Sequence, residues 1–220
     1  MKLLMHVCCA PCSVYCIEEL RNEGIEPTLY WYNPNIHPYM EYKARRDCLK
    51  EYANIINVKA IFEEEYGLDS FCKNVISNLN SRCVNYCYPV RLKKTFEYAK
   101  KHGYDTVTTT LLYSIYQQHD YIKQLMEQYS KEYKIDFLYR DFRIGFWKGH
   151  QKAYDLGLYM QKYCGCIFSS EEKIISTNTT NKKPKLPKGF EFLPAKRNVN
   201  IKKEKDNKEQ YMDLLLEADP

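Results

Sequence analysis

No apolar run in this 220-residue chain approaches the roughly 18–20 residues needed to cross a bilayer. No secretory signal is expected either. Met1-Lys2-Leu3-Leu4-Met5-His6-Val7 is apolar but short, and it runs into cysteines with no small-residue cleavage site. A strong charge of one sign is also missing. The formal net charge is +5, yet residues 1–176 carry 23 Lys+Arg against 21 Asp+Glu, and the excess falls mainly in the segment beyond. So nearly neutral a body is not the footprint of a protein that holds nucleic acid by charge alone. No internal repeat is visible.

What is present suffices for one sizeable core. Hydrophobic residues make up 45% of the chain and aromatic residues 15%, including 21 tyrosines, which excludes global disorder. With no export signal or membrane segment, the chain is expected in the cytoplasm, where thiols stay reduced. Its ten cysteines then point to metal ligation or redox chemistry rather than structural disulfides. Inert buried thiols are the competing reading. It suits Cys48 and Cys72, which sit singly in helical segments, and it weakens where cysteines cluster.

Strand-like and helix-like segments alternate. Strands are predicted at Leu3 to Val7, Thr28 to Tyr32, Val58 to Phe62, Asp105 to Leu111 and Ile135 to Tyr139. Helices are predicted at Ser13 to Asn22, Pro38 to Asn54, Leu68 to Ser77, Tyr88 to His102 and Tyr116 to Tyr129. This order implies an α/β fold, a doubly wound, mostly parallel five-stranded sheet with helices on both faces. Chemistry in such sheets gathers beyond the carboxyl ends of the strands. The first cysteines fall there, as do Asn33-Pro34-Asn35 after the second strand and Asp141 after the fifth. Residues 1–176 read as the catalytic domain. Residues 177–220 read as a polar linker followed by a lysine-rich extension, with a short peripheral helix or a solvated tail over 202–216.

Three cysteine clusters stand out. Cys8-Cys9-Ala10-Pro11-Cys12 lies on a strand-to-helix turn, where backbone N–H groups favour thiolates. Cys83 and Cys87 are four apart, one helical turn, with Arg82 and Arg91 nearby to favour anionic sulfur. Two cysteines of the first cluster with Cys83 and Cys87 make a four-thiolate set, which suits an iron–sulfur cluster or a structural zinc. Cys164-Gly165-Cys166 allows a strained disulfide of the labile, catalytic kind, or further ligation of the metal.

Taken in order, further motifs join these. They are His6-Val7-Cys8-Cys9-Ala10-Pro11, Tyr32-Asn33-Pro34-Asn35-Ile36-His37-Pro38, Arg82-Cys83 to Cys87-Tyr88 and Arg91-Leu92, and Thr108-Thr109-Thr110-Leu111. Asp141-Phe142-Arg143 and Gly157-Leu158-Tyr159 through Gln161 to Tyr163-Cys164-Gly165-Cys166 complete the series. Over residues 2–170 the set resembles the cobalamin-independent epoxyqueuosine reductases, the QueH family.

The resemblance implies a fold related to the adenine-nucleotide α-hydrolases. It also implies a [4Fe-4S] cluster and reduction of epoxyqueuosine to queuosine at the wobble position of tRNA. Carried over, Cys8, Cys9, Cys83 and Cys87 are the cluster ligands, and Cys164 and Cys166 the redox-active pair. The sequence departs from the family pattern in three places. Three residues separate Cys83 from Cys87 where two are expected, Ile115 replaces a proline, and Cys12 stands where many members carry Asp. That last position is the one expected beside an additional metal ion, iron or zinc.

Opening an epoxide to an alkene takes two electrons and two protons. A dithiol becoming a disulfide delivers that number of electrons, and a metal centre can act as a Lewis acid on the departing oxygen. An electron donor, whose identity the sequence does not give, would restore the dithiol. Asp141 and His37 are the candidate proton donors, with helix capping or an arginine pair as the plainer role for Asp141. His6 reads as a core residue. Arg82, Arg91, Arg140, Arg143, Trp147 and Lys148 are the candidate tRNA contacts. Two rival functions differ in class. One is a zinc-stabilised RNA-binding module without redox activity. The other is a tRNA-thiolating enzyme, which would need a phosphate-cradling glycine loop after the first strand. Cys8-Cys9-Ala10-Pro11-Cys12 supplies no such loop.

Overall fold

A strand covered on both faces must be apolar throughout rather than alternating. Leu3-Leu4-Met5-His6 is such a run. In the computed structural model, which describes residues 1–179, it forms the central strand β1 (Leu3–His6), buried at every position. Strands β2 (Thr28–Trp31) and β3 (Ala60–Phe62) extend the sheet on one side, β4 (Thr106–Thr109) and β5 (Asp136–Phe137) on the other. The order is β3-β2-β1-β4-β5, with every pairing parallel. Met5 lies opposite Leu29 on one flank and Thr108 on the other. This is the doubly wound five-stranded α/β sheet that the alternation implied. The winding reverses between β1 and β4, so the crevice beyond their carboxyl ends is the place for a site. Cys8 and Thr110 both fall there.

Helices α1 (Ala10–Asn22), α2 (Tyr39–Ile55), α3 (Leu68–Val75), α4 (Tyr88–Lys101) and α5 (His119–Tyr133) connect the strands. Two more, α6 (Phe146–Asp155) and α7 (Ile167–Thr179), follow β5. The core is continuous and rich in rings, with Trp31 against Tyr42 at 5.8 Å and Tyr30 against Tyr98 at 4.7 Å. Fully buried side chains of this size contribute about 1.5–3 kcal/mol each.

Several element bounds differ from the sequence reading. β4 stops at Thr109 because its hydroxyl accepts the Leu111 N–H at 3.1 Å, turning the chain into a 3-10 turn over Thr110–Leu112. β5 is a two-residue edge strand, although the Leu138 N–H still reaches the Val107 carbonyl at 3.0 Å. Helix α5 begins at His119, which leaves Tyr116 in a turn, 77% exposed.

Helix α6 is not among the helices predicted from the pattern, and it contains Gly149, a poor helix former. Packing supplies the reason. A Cβ at Gly149 would lie 2.7 Å from Tyr15 Cβ and 2.6 Å from the Tyr113 hydroxyl. At Gly145 it would strike the Tyr15 ring at 2.1 Å. The two glycines let α6 settle on α1. The stretch expected as a linker from Thr177 opens inside α7, and everything beyond Thr179 lies outside the described residues. No helix among the described residues is long and apolar enough to cross a membrane.

Candidate active site

The chain leaves β1 with Val7 still in the ladder, its N–H bonded to the Tyr30 carbonyl at 2.9 Å. Asn33, from the loop after β2, donates its side-chain amide to the Val7 carbonyl at 2.9 Å. Cys8 and Cys9 follow, and Cys9, with extended backbone, is the residue from which α1 starts, Pro11 lying in its first turn. One turn of helix returns Cys12 to the same place. The three thiol sulfurs lie within 4.8 Å of one another, Cys8 and Cys9 at 3.8 Å. Thr110, from the end of β4, receives the Cys8 N–H at 3.2 Å and donates to the Cys8 sulfur at 3.5 Å. Gln161 donates to the Cys12 sulfur at 3.5 Å. Bonds from the Cys12 and Cys9 thiols, with Thr110, pull the Cys8 pKa well below its ordinary value.

The second pair sits on one π-helical turn, Cys83–Cys87, at the entry to α4. A π turn takes in one more residue than an α turn and is often found at functional sites. It accommodates three residues between the cysteines while keeping both on one wall. The Cys87 thiol lowers Cys83 to about 6, with Arg82 and Arg91 adding to the effect. Arg91 Nε bonds the Cys87 carbonyl at 2.6 Å, and Arg82 pairs with Glu172 at 2.6 Å.

The third pair lies on a loop held from below. Arg45, 2% exposed, donates to the carbonyls of Tyr163 (2.9 Å) and Cys164 (3.0 Å) while pairing with Glu41 at 2.7 Å. The Tyr159 hydroxyl bonds Glu41 at 2.5 Å. His37 contributes backbone only. Its N–H reaches the Gly165 carbonyl at 2.8 Å, and its carbonyl accepts the Tyr163 hydroxyl at 2.7 Å. Gly165 has φ +154°, open to glycine and rarely to other residues. Gln117 donates to the Cys164 sulfur at 3.5 Å, and the Ser169 N–H reaches Cys166 at 3.4 Å. Cys164 is exposed through the space it lines, yet its dense surroundings push its thiol above the ordinary value.

Two cavities join these parts. One of about 390 Å³ is lined by Cys8, Cys12, Arg45, Thr110, Gln161 and Cys164, among others. A second of about 170 Å³ is lined by Cys83, Cys87, Arg82, Arg91, Cys164 and Cys166, among others. Tyr116, Gln117 and Cys164 belong to both walls.

The structure thus gathers the predicted thiols at one end of the sheet in three sets. Among the described residues, one group of three or more ligand atoms lies within 4.8 Å, and it is Cys8, Cys9 and Cys12. Cys83 and Cys87 stand outside it, on the adjoining wall. A single tetrahedral ion with metal–sulfur bonds of about 2.3 Å needs sulfurs roughly 3.8 Å apart, which the Cys8–Cys9 pair matches. A cluster with several irons needs more widely spaced ligands, and Cys83 and Cys87 line the cavity next to the trio. Soft thiolates with arginines beside them therefore fit an iron–sulfur cluster or zinc.

Asp141 lies apart, outside both linings. Its carboxylate caps the 3-10 turn Phe142–Gly145 and pairs with Arg143 at 2.6 Å, which holds it at about 2, so it is a carboxylate at neutral pH. His37 is buried between Phe71 and Tyr66 and also lines neither cavity. Arg140 pairs with Glu23 and Lys148 with Glu18. Arg45, Glu41 and Gln117 went unread in the sequence. The Glu41/Arg45 spacing of four was visible, but an acid and a base one turn apart usually mark a solvated helix face.

Comparison with known proteins adds the decisive observation. The sequence pattern described as epoxyqueuosine reductase QueH matches residues 3–172. This chain belongs to the QueH family. It is 35% identical over 178 residues to an epoxyqueuosine reductase QueH of Dehalococcoides mccartyi, covering 81% of this chain and 97% of that protein. A Haemophilus influenzae relative of the same name is 33% identical, with 76% and 71% covered, and one from Thermotoga maritima 30%, with 78% and 91%. The QueH match runs from the first strand into α7, so it takes in all ten cysteines.

Burial makes His37 the source of a pH effect. Desolvation lowers it to about 4 from 6.5, and its Nε2 bonds the Pro34 carbonyl at 3.1 Å, so it is neutral in the fold. The unfolded chain takes up the proton first as pH falls, so stability is lost between about 6.5 and 4, with no further loss below. The full contribution is about 3 kcal/mol. His37→Gln is expected to remove that part of the slope when urea midpoints are compared with the wild type across this pH range.

Proposed function

We propose that this chain reduces epoxyqueuosine to queuosine at the wobble position of tRNA, the last step of queuosine biosynthesis, in the cytoplasm. The observation that carries the proposal is Cys164, a thiol set in the wall common to both cavities and joined by one glycine to a second thiol. Cys8, Cys9, Cys83 and Cys87 would hold a [4Fe-4S] cluster, with Cys12 beside an additional metal ion, iron or zinc. Such a centre, when bound, supplies Lewis acidity toward the departing epoxide oxygen and a path for electrons.

The protein's own groups do the rest. Cys164 and Cys166 give up two electrons and two protons as their S–S bond forms. The epoxide loses its oxygen as water and becomes an alkene, so the exchange balances. The raised pKa of Cys164 keeps the proton on its sulfur until the oxygen departs. Gln117 and Arg45 hold that sulfur and its loop in place, and Thr110 and Gln161 orient the ligands on the facing wall. A separate electron donor returns the disulfide to the dithiol.

Anaerobically reconstituted protein should convert epoxyqueuosine to queuosine in tRNA, read by mass spectrometry of the digested nucleosides. Persistence of epoxyqueuosine in a competent reaction overturns the assignment. The 3.8 Å spacing of Cys8 and Cys9 favours one alternative, a zinc-stabilised RNA-binding module. Colourless protein with stoichiometric zinc that binds RNA without converting it would establish it.

A further inference from the structure

Two exposed rings rest on Phe146, which lines the larger cavity. Tyr116 is 77% exposed and Trp147 70% exposed. Each meets the buried Phe146 edge-on, at 5.8 and 5.1 Å, and His150 stacks on Phe146 at 6.1 Å. Tyr116, Phe146 and His150 line the cavity, together with Lys162 and Lys173. Apolar surface left open in this way marks an interaction site. Both outer rings already rest on Phe146, which reduces the rotamer freedom they lose on binding.

We infer that Tyr116 and Trp147 form a stacking platform for unpaired nucleobases flanking the nucleotide that enters the cavity. The inference rests on the reading of the substrate as RNA. A nucleotide drawn into the cavity leaves its neighbours in the strand without stacking partners, and every base has a face that an aromatic ring can cover. Lys162 and Lys173 supply the charge for the intervening phosphates, which a purely apolar protein partner would not need. A duplex offers free base faces only at its ends, so the platform favours a single-stranded loop.

The test uses holoenzyme and a labelled RNA stem-loop with a seven-nucleotide loop, with binding followed by fluorescence anisotropy. Trp147→Ala and Tyr116→Ala are each expected to weaken binding about tenfold. Trp147→Phe should stay within about threefold of wild type, while Trp147→Leu, apolar but without a ring face, should resemble the alanine variant. A blunt duplex of equal length should distinguish the forms less. Trp31 is fully buried, so quenching of the solvent-exposed tryptophan emission by the stem-loop reports Trp147 directly. Equal stem-loop affinity for wild type and both alanine variants overturns the platform, even if epoxyqueuosine is reduced. A dimer of the free protein that Trp147→Ala dissociates also overturns it, in favour of self-association. Ring-dependent stem-loop binding with no conversion upholds the platform and removes the reductase reading instead.

Discussion

Cys164→Ser is expected to cut steady-state turnover of epoxyqueuosine by about 10²-fold or more, with iron content unchanged. The separation of these two readouts follows from position. Cys164 lies in the wall of both cavities and outside the Cys8, Cys9 and Cys12 group, so its loss leaves that group intact. Serine keeps the shape and the Gln117 contact but cannot form a sulfur–sulfur bond. Two electrons then have no covalent store. Cys166→Ser should lose turnover equally, for the same reason, although its surroundings differ. Cys166 is 4% exposed and accepts the Ser169 N–H, which suits the sulfur that closes the disulfide rather than the one that meets substrate. Turnover of either variant at the wild-type rate with a thiol reductant would take the dithiol out of the chemistry. Loss of iron together with activity would instead make these cysteines ligands, the other reading open to a near-vicinal pair.

The central strands and the cysteine groups were legible because each rests on local pattern. Leu3 to His6 is apolar at every position, and in a parallel sheet that is enough to place it. Cys8, Cys9 and Cys12 follow within one turn, so their meeting needs no long-range information. Cys83 and Cys87 were legible as a pair, but helical spacing suggested an ordinary turn where the chain makes a π turn. What the pattern could not supply is who meets whom across the molecule. Gly145 and Gly149 argue against a helix until Tyr15 is known to lie against them. Asp141 was attractive for its place after the fifth strand. Its neighbour two residues on, Arg143, takes both carboxylate oxygens and leaves it outside the cavities. The distance between a conspicuous residue and a useful one is set here by tertiary contacts.

Arg45 makes that distance measurable. In sequence it is one charge among several on α2. In the fold its guanidinium joins Glu41 to the carbonyls of Tyr163 and Cys164, at 2% exposure. Arg45→Met leaves Glu41, 8% exposed, with the Tyr159 hydroxyl but no cation, and frees the carbonyls of Tyr163 and Cys164. Breaking a buried pair from one side costs about 3–5 kcal/mol, because the remaining charge is uncompensated. For a domain of this size that lowers the melting temperature by roughly 6–20 °C. Glu41→Gln combined with Arg45→Met should recover part of the loss by removing the stranded charge. Turnover should not return with it, since the carbonyls of Tyr163 and Cys164 remain without their donor. Arg45→Lys separates the same two effects from the other side. It keeps the charge but not the planar fork that reaches three partners at once, so stability should be regained ahead of turnover. Wild-type melting in Arg45→Met would show that the buried pair does not hold the loop, and wild-type turnover would show that the loop does not need holding.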